Sequence, residues 1–180
     1  MTVLSTERLT IRELTLDDAE FIFGLVNEPS WLEHIGDRGV RTLDDARGYL
    51  TNGPLAMYAR HGYGLWRVER REDGAVVGIC GLLKRDTLPD ADIGFAFLPA
   101  YWSQGYAREA ARATLDHGFS ALGMPRIAAI VSRHNAASIR LLERLGLRYE
   151  RALVDPPGKD GNTLLYVRES SPHAGPARFD

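Results

Sequence analysis

Two different periods of hydrophobic and polar positions organise the first fifty residues. Residues 8–12 alternate, with Leu9 and Ile11 on one side, which predicts a β-strand. Apolar residues at three- and four-residue spacing follow, and both helices that they predict begin at the sequence Thr-Leu-Asp-Asp, at Thr15 and Thr42. The threonine hydroxyl and the acid three positions later form a reciprocal cap, so this sequence is typical of a helix start.

Strand patterns dominate the middle of the chain. Pro29 is expected to end the first helix, and residues 31–39 mix aromatic, charged and glycine residues without a period, which predicts an ordered loop. The dipeptide Asp73-Gly74 is typical of a tight hairpin turn. Strands are predicted around that hairpin and after it, at residues 64–68, 75–83 and 93–98.

Helices and strands alternate in the second half of the chain. A helix is predicted over residues 105–122, where Gly123 stops it. The almost continuous apolar run at 127–131 predicts a strand that is covered on both faces of a sheet. Asn135 is predicted to cap a second, shorter helix. Two further strands are predicted at residues 147–154 and 163–167.

These elements predict an α/β fold: a single domain with one mixed sheet and helices on both of its faces. The predicted order is β-α-α-β-β-β-α-β-α-β-β over residues 5–168. Residues 169–180 contain two prolines and few apolar residues, so we expect a flexible C-terminal tail there.

The composition narrows the classes of function. The 180 residues are 44% hydrophobic and 26% charged, as in globular domains, and the net charge of −2 lacks the basic excess of nucleic-acid-binding proteins. A single cysteine, Cys80, excludes an intramolecular disulfide and a cysteine-built zinc finger. The apolar runs are shorter than a membrane span, and the N-terminal segment lacks a signal-peptide pattern. We therefore expect a cytoplasmic monomer or homodimer that binds neither nucleic acid nor a membrane.

Residues 95–107 have the pattern of a strand, a tight turn and a helix. Small residues at Gly105 and Ala107 allow a ligand to approach the backbone closely, and the free N–H groups in the first turn of a helix form an anion site. Arg108 adds positive charge beside them. On this pattern alone, an ordinary helix start at Gly105 remains the alternative to a phosphate site.

Other motifs for nucleotides and metals are absent from the sequence. Neither a P-loop nor a Gly-x-Gly-x-x-Gly fingerprint occurs. The five histidines form no pair at metal-binding helical spacing, so we expect no metal. Cys80 lies within an apolar strand, which favours a buried, inert thiol over a nucleophile.

Three segments resemble the GNAT superfamily of N-acetyltransferases. They are DIGF at 92–95, YWSQGYAREA at 101–110 and NAASIRLLERLGL at 135–147. In addition, TERLTIR at 6–12 resembles the opening of the branch that acetylates the alanine N-termini of ribosomal proteins. The resemblance covers residues 5–168, and the predicted order of elements agrees with it.

The resemblance implies that acetyl-CoA is the co-substrate. Its pyrophosphate would lie on the turn at 103–107, and its pantetheine arm would lie along the strand at 95–98. Backbone groups of that strand would stabilise an oxyanion where the strand diverges in a V from the strand at 127–131. The implied cofactor-binding residues are Phe95, Phe97, Leu98, Ser103, Gln104, Gly105, Tyr106, Ala107, Arg108 and Asn135.

The chain departs from the family pattern at two positions. Gly105 and Ala107 match the last two fixed positions of the family motif Gln/Arg-x-x-Gly-x-Gly/Ala. Trp102 occupies its first position, where the motif has a polar Gln or Arg. Many members have a tyrosine acid seven residues after the asparagine, and this chain has Leu142 there. Ser138, three residues after the asparagine, is the predicted partner of the leaving thiolate in its place.

A carboxylate acting through water is expected to serve as the general base. Asp92, at the start of the central strand, is the first candidate, with a solvated carboxylate of no catalytic role as the alternative; Glu33 is the second candidate. The composition of the loop at 31–39 and of the neighbouring strands predicts five residues on the acceptor side: Trp31, Glu33, Arg38, Trp66 and Lys84.

The sequence thus predicts an enzyme that transfers the acetyl group of acetyl-CoA to a primary amine such as a protein N-terminal α-amine. One alternative is an enzyme for a small-molecule amine, such as an antibiotic or a polyamine. A non-catalytic sensor that binds acyl-CoA is the second alternative, because the usual tyrosine acid is missing.

Overall fold

The computed structural model describes residues 1–154 and 162–170. Its eight strands are β1 Thr2–Ser5, β2 Leu9–Glu13, β3 Leu65–Arg70, β4 Val76–Leu83, β5 Ala91–Phe97, β6 Arg126–Ser132, β7 Arg148–Ala152 and β8 Thr163–Glu169. Its six α-helices are α1 Ala19–Val26, α2 Pro29–His34, α3 Leu43–Leu50, α4 Ala56–His61, α5 Tyr106–Ser120 and α6 Ala136–Arg144. Within the two described ranges, no helix is long and apolar enough to cross a membrane.

All eight strands belong to one sheet in the order β1-β2-β3-β4-β5-β6-β8-β7. Every neighbouring pair is antiparallel except β5 and β6, which are parallel. The fold is therefore the predicted mixed α/β domain, with one parallel step in the middle of the sheet.

Helices cover both faces of this sheet. Successive residues of a strand point to opposite faces, and Ile79 and Cys80 of β4 accordingly belong to two different apolar clusters. The cluster of Ile79 contains buried residues of α1 and α3, among them Ile22 and Leu50. The cluster of Cys80 contains buried residues of α5 and α6. The two helices that follow β5 and β6 thus share one face of the sheet.

The two Thr-Leu-Asp-Asp sequences start helices, as predicted. At α3, Thr42 Oγ1 accepts a hydrogen bond from Asp45 N–H at 3.1 Å, and the Asp45 carboxylate accepts one from Thr42 N–H at 2.9 Å. At the other sequence, Asp18 Oδ2 accepts from Thr15 N–H at 2.8 Å, and a short 3₁₀ turn precedes α1. These contacts satisfy backbone donors that a bare helix start would leave free.

Three short elements were not predicted from the sequence: β1, α2 and α4. The predicted loop at 31–39 is wrong over its first residues, because α2 begins at Pro29. Proline fits the first position of a helix as well as the position after its end, so Pro29 starts one helix where a stop was predicted. At six residues each, α2 and α4 are too short to show a helical period. The predicted C-terminal tail lies outside the described residues from position 171 onwards.

A buried aspartate ties the start of α1 to β2 and β3. The Asp18 side chain is 1% exposed, and its carboxylate accepts hydrogen bonds from Arg12 Nη1 and Nη2 at 3.0 and 2.9 Å and from Arg67 Nη1. Burial alone would raise the pKa of Asp18, but hydrogen bonds from Arg12, Thr15 N–H and Arg67 outweigh it and lower the pKa.

We expect Asp18→Asn to lower the free energy of unfolding by roughly 3 kcal/mol, because two guanidinium groups lose their shared anion. The pKa of Asp18 is lower in the folded protein than in the unfolded chain. The carboxylate therefore stabilises the fold above about pH 4 and loses this contribution as the pH falls further. Urea unfolding at pH 7 and at pH 3 should show a difference between wild type and variant that shrinks at the lower pH.

Asp44→Asn is the matched control, because the Asp44 side chain is exposed and pairs with Arg47 on the helix surface. Exposed pairs of this kind contribute little to stability. Equal stabilities of the Asp18 and Asp44 variants would contradict a structural role for the buried aspartate.

Candidate functional site

The parallel strands β5 and β6 separate after a short contact. They pair only at Ala91 with Ile127 and at Asp92 with Ala128. Residues 93–97 of β5 and 129–132 of β6 then diverge, and we call this opening the split. β4 pairs with β5 at six positions and β8 pairs with β6 at seven, so both walls of the split are fixed from outside.

Two backbone N–H groups of β5 face the split. Leu98 N–H donates to Val77 O at 2.9 Å, and the β4–β5 register continues without a bulge, so alternate residues from Leu98 backwards bond to β4. Phe95 and Phe97 lie between these residues, so their N–H groups point away from β4 and towards β6. At this position β6 is no longer paired with β5. The N–H group of Leu98 is already bonded to β4, so the predicted contact of Leu98 with the cofactor would involve its other groups.

A tight turn connects the end of β5 to α5. Trp102 Nε1 donates to Phe97 O at 2.7 Å, and Gln104 Nε2 donates to Ala100 O at 3.0 Å. Ser103 and Gly105 have φ angles of 60° and 83°, in the left-handed region that reverses the chain sharply. Trp102 thus fixes the turn through its indole, at the position where the family has a polar side chain.

The first turn of α5 leaves donors available beside this turn. Gly105 O accepts the first backbone bond of the helix, from Glu109 N–H at 3.0 Å. The preceding N–H groups, of Tyr106, Ala107 and Arg108, have no intrahelical acceptor. Together with the positive end of the helix dipole, they can hold an anion such as a pyrophosphate.

Arg8, in the connection between β1 and β2, supports the turn through a contact that sequence reasoning missed. Its Nη1 donates to Gln104 O at 2.9 Å, and its Nε pairs with Glu109 Oε2 at 2.7 Å. Glu109 also accepts from Thr6 Oγ1 at 2.6 Å and from Arg8 N–H at 2.9 Å. Arg8 and Thr6 lie in the segment that carries the family resemblance, and that resemblance was the available signal.

The start of α6 lies after the end of β6, at the open end of the split. Asn135 Oδ1 accepts from Ser138 N–H at 3.0 Å, so the predicted helix cap is confirmed. The Asn135 amide nitrogen and the Ser138 hydroxyl have no hydrogen-bond partner among residues 1–154 and 162–170. Both are partly exposed, and Leu142, one turn further, is buried in the core.

Asp92 lies at the closed end of the split and is 1% exposed. Arg85 Nε donates to both of its carboxylate oxygens, at 2.9 and 3.1 Å. Burial raises the pKa of Asp92, and the charge and hydrogen bond of Arg85 partly oppose this rise. The alternative of a solvated strand-end carboxylate is therefore wrong. No local signal in the sequence pointed to Arg85, because their pairing depends on how the β4–β5 connection folds back.

Two of the predicted acceptor-side residues are core residues instead. Trp31 is 4% exposed and donates from Nε1 to Gly36 O at 3.2 Å, and Trp66 is 1% exposed with its ring edge-on to His117 of α5. Lys84 binds its own loop, through bonds from Nζ to Leu88 O at 2.6 Å and Pro89 O at 2.8 Å. Only Glu33 and Arg38 keep exposed side chains with the freedom to meet an acceptor.

The thiol of Cys80 is buried, as predicted. It lies 3.4 Å from Thr114 Oγ1, and burial raises its pKa to about 12. Such a thiol stays protonated at neutral pH and is a poor nucleophile. Across the described ranges, His, Cys, Asp and Glu form no group of three or more that could hold a metal ion.

A comparison with protein families matches residues 8–148 to the model described as an acetyltransferase (GNAT) domain. The chain belongs to the GNAT acetyltransferases. It is 31% identical over 152 residues to the "Uncharacterized N-acetyltransferase YoaA" of Bacillus subtilis strain 168, covering 84% of this chain and 85% of that protein. This GNAT protein is therefore an acetyl-CoA-dependent N-acetyltransferase.

Solved structures agree with the fold of this GNAT domain. An acetyltransferase from Agrobacterium tumefaciens strain C58 superimposes with a TM-score of 0.79 at 26% identity, over 94% of this chain and 95% of that one. A ribosomal L7/L12 α-N-protein acetyltransferase in complex with coenzyme A gives a TM-score of 0.80 at 16% identity, over 94% and 98% of the two chains. At that low identity the second match supports the fold alone.

Proposed function

We propose that the split binds the acetyl-pantetheine arm of acetyl-CoA, that the turn before α5 binds the pyrophosphate, and that the acceptor is a primary amine. The observation that carries this proposal is the early end of the β5–β6 pairing at Asp92, which leaves a split that opens towards the free N–H groups of α5. A ligand with amide groups in its arm and a pyrophosphate at its end fits both sets of donors.

The residues present fit the co-substrate. Phe95 and Phe97 N–H groups lie along the split, the Asn135 amide nitrogen lies at its open end, and a Cβ at Gly105 would crowd the turn, since it would stand 3.2 Å from Arg8 Nη2. Acetyl-CoA supplies an acetyl thioester that an amine can attack. The protein then has to stabilise the negative charge that develops on the thioester oxygen and on the leaving sulfur. It also has to accept a proton from the amine.

Each of these tasks has a residue. The fixed N–H groups of Phe95 and Phe97 can donate to the thioester oxygen as it gains negative charge, without reorganisation. Ser138, at the N-terminal end of α6, can donate its hydroxyl hydrogen bond to the sulfur, where the helix dipole also favours negative charge. Asp92 can take the amine proton through water, since an α-amine with a pKa near 8 needs only modest help.

A protein N-terminal α-amine is the acceptor that we place first. The chain resembles the branch of GNAT proteins that acetylates ribosomal-protein N-termini, and structural neighbours include a ribosomal-protein-S5-alanine acetyltransferase from Vibrio fischeri. A spermidine N-acetyltransferase chimera has a similar fold as well, so a small amine is the second candidate.

Thiol release from acetyl-CoA, measured with alanyl and seryl peptides and with a panel of small amines, tests the function. Turnover on the peptides supports an N-terminal acceptor, and turnover on small amines alone favours the second candidate. Tight coenzyme binding without thiol release in the presence of any amine would contradict an enzymatic function and favour an acyl-CoA-binding sensor.

We expect Gly105→Glu to weaken acetyl-CoA binding by about 100-fold, roughly 3 kcal/mol. The new carboxylate would occupy the N–H groups of α5 and repel the pyrophosphate. Gly123→Glu is the matched control, because Gly123 also has a positive φ, of 62°, but lies in open space after α5. Calorimetry that finds equal affinities for the two folded variants would remove the phosphate site from this turn.

If Asp92 takes the amine proton, Asp92→Asn should lower kcat by about 100-fold or more. The wild-type rate should fall as the pH is lowered through the pKa of Asp92, which burial raises, and the variant should lose this acidic limb. Asp90→Asn is the control. Asp90 lies two residues before Asp92 in the chain and pairs with Arg126. An unchanged pH–rate profile in the Asp92 variant would assign the proton to water or another acid.

If Ser138 binds the leaving sulfur, Ser138→Ala should lower kcat by about 100- to 1000-fold with little change in acetyl-CoA affinity. The variant keeps the backbone N–H that Asn135 caps, so the helix should persist. Ser120→Ala, whose hydroxyl bonds to Asp116 O in α5, is the control. If the Ser138 variant keeps the kcat of the wild type, Ser138 does not bind the leaving sulfur and its role is packing.

A further inference from the structure

The amine has to reach the thioester from the face of the sheet opposite α5 and α6. Both helices lie on one face, and their N-terminal ends are the proposed coenzyme site. The coenzyme then fills the split from that side, which leaves the face of α1 and α3 for the acceptor. Asp92 points to this second face, because Ala96, four residues along the same strand, packs against the cluster of α1 and α3.

Arg85 lies on the same face with only part of its guanidinium engaged. Its Nε binds Asp92, while its two Nη groups have no hydrogen-bond partner within residues 1–154 and 162–170. The side chain is 36% exposed, so these Nη groups can reach a ligand. A guanidinium held at Nε and free at both Nη groups is suited to a planar anion, since two parallel N–H donors match a carboxylate.

The charged side chains around Arg85 are of both signs. Lys84 precedes it in the chain, and its charge also acts on Asp92. Burial raises the pKa of Tyr49 in α3, and the charges of Arg38 and Arg85 partly oppose this rise. Among the acids, Asp92 is already paired. Asp86, the residue directly after Arg85, is an exposed acid, and Asp90 further along the connection pairs with Arg126.

We propose that Arg85 recognises a carboxylate on the acceptor, so that this enzyme prefers amines that carry an anionic group over amines that carry a second positive charge. This inference rests on the proposed acetyl transfer and names the class of acceptor for it. Amino acids and acidic peptides fit the class. A polyamine does not, because its remaining ammonium groups carry the same charge as Arg85 and have no acceptor for its Nη donors.

Arg85 acts as a specificity residue that touches the acceptor, with Asp92 as its anchor. The Nε–carboxylate pair fixes the plane of the guanidinium, and the Nη groups then present their donors towards the acceptor side of the split. Lysine at this position would keep a charge beside Asp92 but would lose the forked pair of donors.

The binding of matched products to the coenzyme A complex tests the inference without turnover. N-acetylalanine and N-acetylalaninamide differ only in the charged carboxylate. In calorimetry with the coenzyme A-saturated protein, we expect the acid to bind about 10-fold more tightly than the amide. Arg85→Gln should bind both with the affinity of the amide, and Arg85→Lys should lie between. Arg148→Gln, in the edge strand β7, should keep the full preference.

Equal binding of the acid and the amide by the wild type, including no measurable binding of either, would overturn the inference. A preference for the acid that survives Arg85→Gln would overturn it as well. Unchanged coenzyme A affinity in the Arg85 variants shows that the fold is intact. If the preference is found but no amine releases thiol from acetyl-CoA, the proposed transfer fails while recognition by Arg85 stands.

Discussion

The functional part of this structure depends on one backbone constraint, the end of strand pairing between β5 and β6 after Asp92. β6 is paired along its whole length with β8, and β5 is paired with β4, so neither strand can close the split by itself. The N–H groups of Phe95 and Phe97 therefore lack a strand partner, and such groups need a ligand or water. The sheet stays intact while it provides fixed donors in its interior.

The parallel orientation of these two strands places both following helices at the same end of the split. Chains leave parallel strands at their carboxyl ends, so the first turns of α5 and α6 lie near each other at the opening. The turn into α5 is held by Trp102 from within and by Arg8, which directly precedes β2. The shape of the turn therefore depends on side chains far apart in the sequence, and not on the glycine alone.

Local chemistry was predictable from the sequence, whereas the burial of several aromatic and charged side chains was not. The capping sequences at Thr15 and Thr42, the long helix α5 and the cap at Asn135 depend on neighbouring residues, and the structure has them. The split itself followed only from the family resemblance. Short elements such as α2 and α4 carry no period. The burial of Trp66 depends on its partner in the core, and that of Asp92 on Arg85, which sequence spacing does not encode.

The pair of Asp92 and Arg85 links the chemistry of the split to the choice of acceptor. A carboxylate at 1% exposure is costly unless it is paired, and Arg85 pairs it through Nε alone. Had the bond been made by the forked Nη groups, the guanidinium would have had little left to offer a ligand. With Nε as the anchor, the same contact keeps Asp92 in place and leaves a cation facing the acceptor. A substitution of Asp92 therefore alters the orientation of Arg85 too, so its effect on acceptor affinity and its effect on kcat have to be measured separately.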